Sequence, residues 1–153
     1  AAVGFAFLLV QRLFYQDQIN KWLAISGSFF FLTGTLFFAG VGLTPYDLYL
    51  DLHVFFAVNA FRLLVPGAMF YVLVLLRSEV DNIYALATAL YLLCVIAYVV
   101  YQVVSGNPLD NLEEMKRQAT IQKLIVIASV ASIFSLSFAF QKQIDILNHS
   151  AHQ

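Results

Sequence analysis

Charge is what this chain has least of. Only 11% of its 153 residues are Asp, Glu, Lys or Arg, where an ordinary soluble domain carries about a quarter. Eight bases against nine acids leave a net charge of −1, so no basic surface suggests nucleic acid as a partner. The single cysteine, Cys94, excludes an intrachain disulfide. Inside an apolar run it reads as a small buried hydrophobe. Of three histidines only His53 lies near an apolar segment. That excludes a bis-histidine haem within the chain and leaves a zinc site short of ligands, so neither a metal nor a cofactor is expected. Phosphate loops, nucleophile elbows and Cys-rich zinc patterns are absent, and no catalytic residue is assigned.

What is abundant is apolar. Hydrophobic residues make up 61% of the chain, with 15 Phe and 8 Tyr, and the mean hydropathy is +0.82. A globule of this size has too little interior for so much apolar surface, which places the chain in lipid. Phe and Tyr suit a lipid-facing surface with interfacial anchors.

The pattern predicts an all-α polytopic transmembrane bundle forming one domain. Spans fall at about residues 1–15, 22–43, 52–76, 83–104 and 121–140. The first reaches only about 22 Å at about 1.5 Å per residue, short of a hydrocarbon core of about 30 Å, and reads as the back part of a spanning helix. Thr44-Pro45 ends the second span, because the residue before proline leaves the helical region. Pro66 lies inside the third and predicts a kink. Asn107 reads as an N-cap with Pro108 after it. An amphipathic link over 107–120 then runs into the fifth span, with Glu113 and Arg117 as an i,i+4 pair. A polar tail, 141–153, follows. Arg12, Lys21, Arg77 and Lys142 share one side of the membrane, which places the C-terminus in the cytoplasm by the positive-inside rule.

Residues 51–62 carry the densest polar signal. A mid-span charge such as Arg62 costs roughly 2.5–3.5 kcal/mol even on a lenient scale. Asp51, Phe55, Asn59, Arg62 and Pro66 fall within one arc of about 80° on a helix. That face is expected to point into the bundle. With Asp47 and His53 it makes either a lipid-headgroup site or a buried polar network. Tyr84, Tyr91 and Tyr98, joined by Tyr101, form an aromatic stripe that serves packing or stacks on a flat ligand. In the fifth span Ala131, Ser135 and Ala139 form one small-residue row and Ala128 and Ser132 another, faces that allow close helix approach. The second span offers Ser26, Thr33 and Gly40, with Gly27 and Gly34 beside them.

The stretch from Gly34 through Gly42, Pro45 and Asp47 to His53 resembles the DUF998 family of six-helix bacterial membrane proteins, and through it the Frag1/DRAM/Sfk1 group. Gly42, Pro45, Asp47 and His53 occupy the glycine-rich turn, the acidic position and the helix-opening histidine of that pattern. The match covers about thirty residues and lacks the family's first helix. The resemblance implies a six-helix bundle in a bacterial inner membrane, with both termini cytoplasmic, and brings no established activity.

Three readings of function follow. The first is an accessory or scaffold subunit packing against other membrane proteins and lipids, without chemistry of its own. The second is a lipid-headgroup-binding or lipid-modifying protein using the polar cluster from Asp47 to Arg62, with a lipid bound there. The third is ion or proton movement along the Arg62 face, for which an intramembrane carboxylate is missing.

Overall fold

The computed structural model describes residues 2–105 and 111–150. Among these every regular element is helical: α1 (Ala2–Val10), a 3-10 turn (Gln11–Phe14), α2 (Gln18–Leu43), α3 (Leu50–Arg77), α4 (Asn82–Val104) and α5 (Leu112–Ser150). Four of the described helices, α2 to α5, are long and apolar enough to cross a membrane, and residues 2–14 form a shorter apolar segment. This fits an integral membrane protein. Outward-facing side chains agree: Leu90, Leu93, Ile127, Phe134 and Phe138 are exposed, and Leu43 is 81% exposed.

Successive helices pack on one another from α1 to α5. The ring closes where Phe140 of α5 sets its ring 5.5 Å from Phe7 and 5.6 Å from Phe14. One end of the bundle therefore carries the 15–17 and 78–81 links and the C-terminal half of α5. The other carries the 44–49 turn and the start of α5. They are called here the Arg77 end and the His53 end.

The tightest seam is α2 on α3. A Cβ at Gly27 would lie 2.8 Å from the Tyr71 ring, and one at Gly40 2.6 Å from Phe56. Only glycine allows those rings so near the α2 backbone. The glycines beside Ser26 and Thr33 thus find their partner within the chain. Ser28 donates to the Phe7 carbonyl at 3.2 Å, so the Tyr71 hydroxyl donates to Ser28 at 2.7 Å, and one polar chain ties α1, α2 and α3. At the Arg77 end Asp17 caps α2 by accepting the Asn20 N–H at 2.7 Å. Arg77 reaches back to Asn20 at 2.8 Å and to Asp17 at 2.9 Å. The Asn20 amide N–H and the Arg77 guanidinium together hold the Asp17 carboxyl below its ordinary 3.8.

Several expectations are corrected. From Leu112 the link runs into the fifth span as expected, and the tail continues it to Ser150, one helix of 39 residues, about 58 Å long. The tail is helical to Ser150, and Gln143 within it is fully buried. Glu113 pairs with Lys116 at 3.1 Å and Arg117 with Glu114 at 3.6 Å, i,i+3 rather than i,i+4. Cys94 is exposed on the outer face of α4. Asn107 and Pro108 lie outside the described residues.

Candidate functional site

The face of α3 bearing Asn59 and Arg62 points outward, against the expectation that it would face the bundle. The buried side of α3 is a repeat of small and aromatic residues, among them Ala57, Ala60, Phe61, Leu64, Ala68 and Tyr71. The Asn59 arc lies roughly opposite. Asn59 donates to the carbonyl of Phe55 at 2.8 Å, one turn back. Arg62 is exposed and makes no hydrogen bond or ion pair among the described residues. Asp47 and Asp51 are exposed as well. Among the described residues no three His, Cys, Asp or Glu side chains converge as metal ligands.

What the structure does build is a cleft at the His53 end. There α3 and α5 each pack along α4, with little packing between them. The space left is a cleft of about 440 Å³. Val54, Ala57 and Val58 of α3 and Met115 and Ala119 of α5 make its apolar walls. His53, Gln118 and Gln122 add polar groups, and Lys116 joins from α5.

Thr44 is buried, held by its hydroxyl on the Gly40 carbonyl at 2.8 Å, and its own carbonyl lies 2.7 Å from His53 Nδ1. A carbonyl only accepts, so the proton sits on Nδ1, and in the neutral ring Nε2 is a bare acceptor. Gln118 is 4% exposed. Its amide donates to Ser105 at 2.9 Å and to Glu114 at 3.3 Å, and Glu114 also accepts from the Tyr101 hydroxyl at 2.6 Å. Further in, the Tyr98 hydroxyl lies near the amides of Gln102 and Gln122 without hydrogen-bond geometry to either. Both amide atoms of Gln102 are buried and have no hydrogen-bond partner among the described residues. Buried polar groups in that state cost about 1–3 kcal/mol each and are normally met by water or a ligand atom.

The tyrosine stripe faces inward: Tyr91 and Tyr98 are buried, and Tyr84 and Tyr101 pack partly buried against the core. Tyr98 stands edge-on to Phe61, centroids 4.9 Å apart. Tyr91 and Ser129 share a hydroxyl contact of 3.0 Å beside a central cavity of about 240 Å³. With those hydroxyls satisfied, that mostly apolar cavity calls for no polar guest. Of the small residues on α5, Ser132 and Ala139 are buried, Ala128 and Ser135 partly so, and Ala131 is exposed. The sequence pattern places Gln102 on the side of the tyrosine stripe, while Gln118 and Gln122 were passed over. The signal was there: Gln118 and Gln122 stand four apart where α5 turns apolar.

No family model, curated protein or solved structure matches this chain.

Proposed function

We propose that this protein is a bacterial inner-membrane protein that binds a membrane lipid in the cleft between α3 and α5, with the polar headgroup against His53, Gln118 and Gln122. One observation carries the reading: a mostly apolar cleft with His53, Gln118 and Gln122 in its lining lies between apolar helices whose outer faces belong in hydrocarbon. An amphiphile matches both parts. Among the described residues the lining is apolar, amide, imidazole, phenol and ammonium, groups that suit holding a headgroup. In the proposed orientation the Arg77 end, with Arg12, Lys21 and Lys142, faces the cytoplasm, as the positive-inside rule asks. The C-terminus is then cytoplasmic and the headgroup belongs to the opposite leaflet.

The test is native mass spectrometry of the chain released from its own membrane in mild detergent. One bound lipid per chain is expected. Ala119→Trp should remove it while leaving the fold intact, since Ala119 lines the cleft yet is exposed. A wild-type chain stripped of all lipid under conditions that keep it folded overturns the reading.

A role as an accessory subunit is the second reading, favoured by the same exposed Arg62. A partner helix offering an acceptor would cover that charge. Stoichiometric partner chains in the same spectra, in place of lipid, would support it.

A further inference from the structure

The polar groups that line the cleft sit where lipid headgroups lie. The apolar stretches of α3 and α5 begin at about residues 52 and 121, and both helices run from the His53 end toward the Arg77 end. His53 and Gln122, both in the lining, each stand in the first turn of a span. Val54, Ala57 and Val58 continue the wall from there into the hydrocarbon.

Unspent charge is scarce in this lining. Among the described residues Lys116 is the one ionic group, and Glu113 takes it at 3.1 Å. Gln118 is 4% exposed and gives its amide N–H groups to Ser105 at 2.9 Å and to the Glu114 carboxylate at 3.3 Å. A phosphate only accepts. Here it would exchange its hydration for donors already engaged and a carboxylate just behind Gln118. An ammonium only donates. It would exchange its hydration for one imidazole, amide oxygens and an apolar wall.

What the lining leaves open is neutral. His53 gives its Nδ1 proton to the Thr44 carbonyl at 2.7 Å, so Nε2 is an acceptor that needs a donor. Gln122 is half-buried, and its amide both donates and accepts. Behind it stand the Tyr98 hydroxyl and the Gln102 amide, buried and without a hydrogen-bond partner among the described residues. A hydroxyl donates and accepts at once. It can serve Nε2 and extend the row of amides and phenol, which no ion does.

We infer that the lipid held in this cleft is a neutral one with a hydroxyl-bearing headgroup, a sugar or glycerol, which donates an O–H to His53 Nε2 and shares hydrogen bonds with the Gln122 amide. The inference rests on the lipid-binding reading and adds the class of the headgroup.

The experiment offers the full-length protein three lipids of matched acyl chains and reads bound lipid by native mass spectrometry. They are monoglucosyl diacylglycerol, phosphatidylglycerol and phosphatidylcholine, in a polyoxyethylene detergent that carries no sugar. The wild type should prefer the glucosyl lipid to phosphatidylcholine by about ten- to thirtyfold, taking about fivefold for each of two hydrogen bonds. It should also hold the glucosyl lipid better than phosphatidylglycerol, whose hydroxyls come with a charge. His53→Phe and Gln122→Leu should each cut the first preference about fivefold. The double variant should bind the glucosyl lipid and phosphatidylcholine alike. Should His53→Phe fail to fold, because its bond to Thr44 goes as well, Gln122→Leu decides alone. Equal wild-type occupancy by the glucosyl lipid and phosphatidylcholine overturns this inference and leaves lipid binding standing. A preference for phosphatidylglycerol gives the headgroup to Lys116 and also overturns it. Binding of none of the three overturns both readings. Displacement of the glucosyl lipid by millimolar methyl glucoside assigns the site to a free sugar and overturns the lipid source.

Discussion

Alanine at Gly27 and alanine at Gly34 should act in opposite directions, although both glycines sit on the same face of α2. A Cβ at position 27 lies 2.8 Å and 3.0 Å from two carbons of the Tyr71 ring and 3.2 Å from Cβ of Phe70. Comfortable carbon–carbon separation is about 3.5–4.0 Å, so something has to move by about 0.7 Å. Tyr71 has nowhere to go. It is fully buried, hydrogen-bonded to Ser28 at 2.7 Å, and flanked by Phe7 at 5.1 Å and Phe31 at 5.4 Å. Overpacking of this kind costs about 1–3 kcal/mol. Replacing glycine by alanine inside a helix returns about 0.5–1 kcal/mol. Gly27→Ala should therefore lose about 1–2 kcal/mol. At Gly34 the nearest atoms, the Ala60 carbonyl oxygen and Leu64 Cδ2, are both 3.5 Å away. That is ordinary contact, and Gly34→Ala should be neutral or gain up to about 1 kcal/mol. Both variants would be unfolded reversibly in mixed micelles with increasing SDS, followed by far-UV circular dichroism. Equal effects at the two positions would refute the α2–α3 register on which every inward-facing residue depends.

Other predictions address the Arg77 end, the outer surface and the cleft histidine. Asp17 has a carboxyl held below its ordinary 3.8, first by the Asn20 N–H and then by Arg77. Its stabilising contribution is complete above that value and is lost as pH falls through the lowered one. Thermal unfolding between pH 7 and pH 3 should show an acid-side decline that is shallower in Asp17→Asn; superimposable curves would contradict the network. Cys94 lies exposed on α4 between Leu90 and Ala97, on a lipid-facing surface. A water-soluble maleimide should leave it unlabelled in intact membranes and label it after SDS unfolding, and rapid labelling in the bilayer would show that face to be wet. Nitrogen-15 NMR of His53 at neutral pH should place the proton on Nδ1, because the Thr44 carbonyl at 2.7 Å can only accept. The opposite tautomer would remove Nε2 as the cleft's acceptor.

Much of the fold was readable because hydrophobic run length is a strong signal in lipid. The expected spans over 22–43, 52–76 and 83–104 differ from α2, α3 and α4 by at most four residues at either end. Facing was harder. Residues 51, 55, 59, 62 and 66 were grouped correctly as one side of a helix, but the side was turned inward on the argument that charge avoids lipid. In the structure glycine approach decides the matter: Gly27, Gly34 and Gly40 take the small and aromatic face of α3, and the Arg62 face is left outside. Cys94 went the same way, since an apolar run does not say which of its residues meet lipid. The tail was read as polar, yet Gln143 within it is fully buried and the helix continues past it. The cleft lay out of reach for another reason. It arises from two helices distant in sequence that each pack on α4 and leave a space between them, and hydropathy carries no record of such a gap.

The account stands on lipid occupying the α3–α5 cleft, and a photo-crosslinking map tests that most directly. A glycerolipid with a diazirine in its headgroup, activated in membranes containing the full-length protein, should mark residues 53–58 and 115–122 above all others. Labelling spread evenly over the helix ends at the membrane surface, with those two segments no richer than the rest, would contradict it.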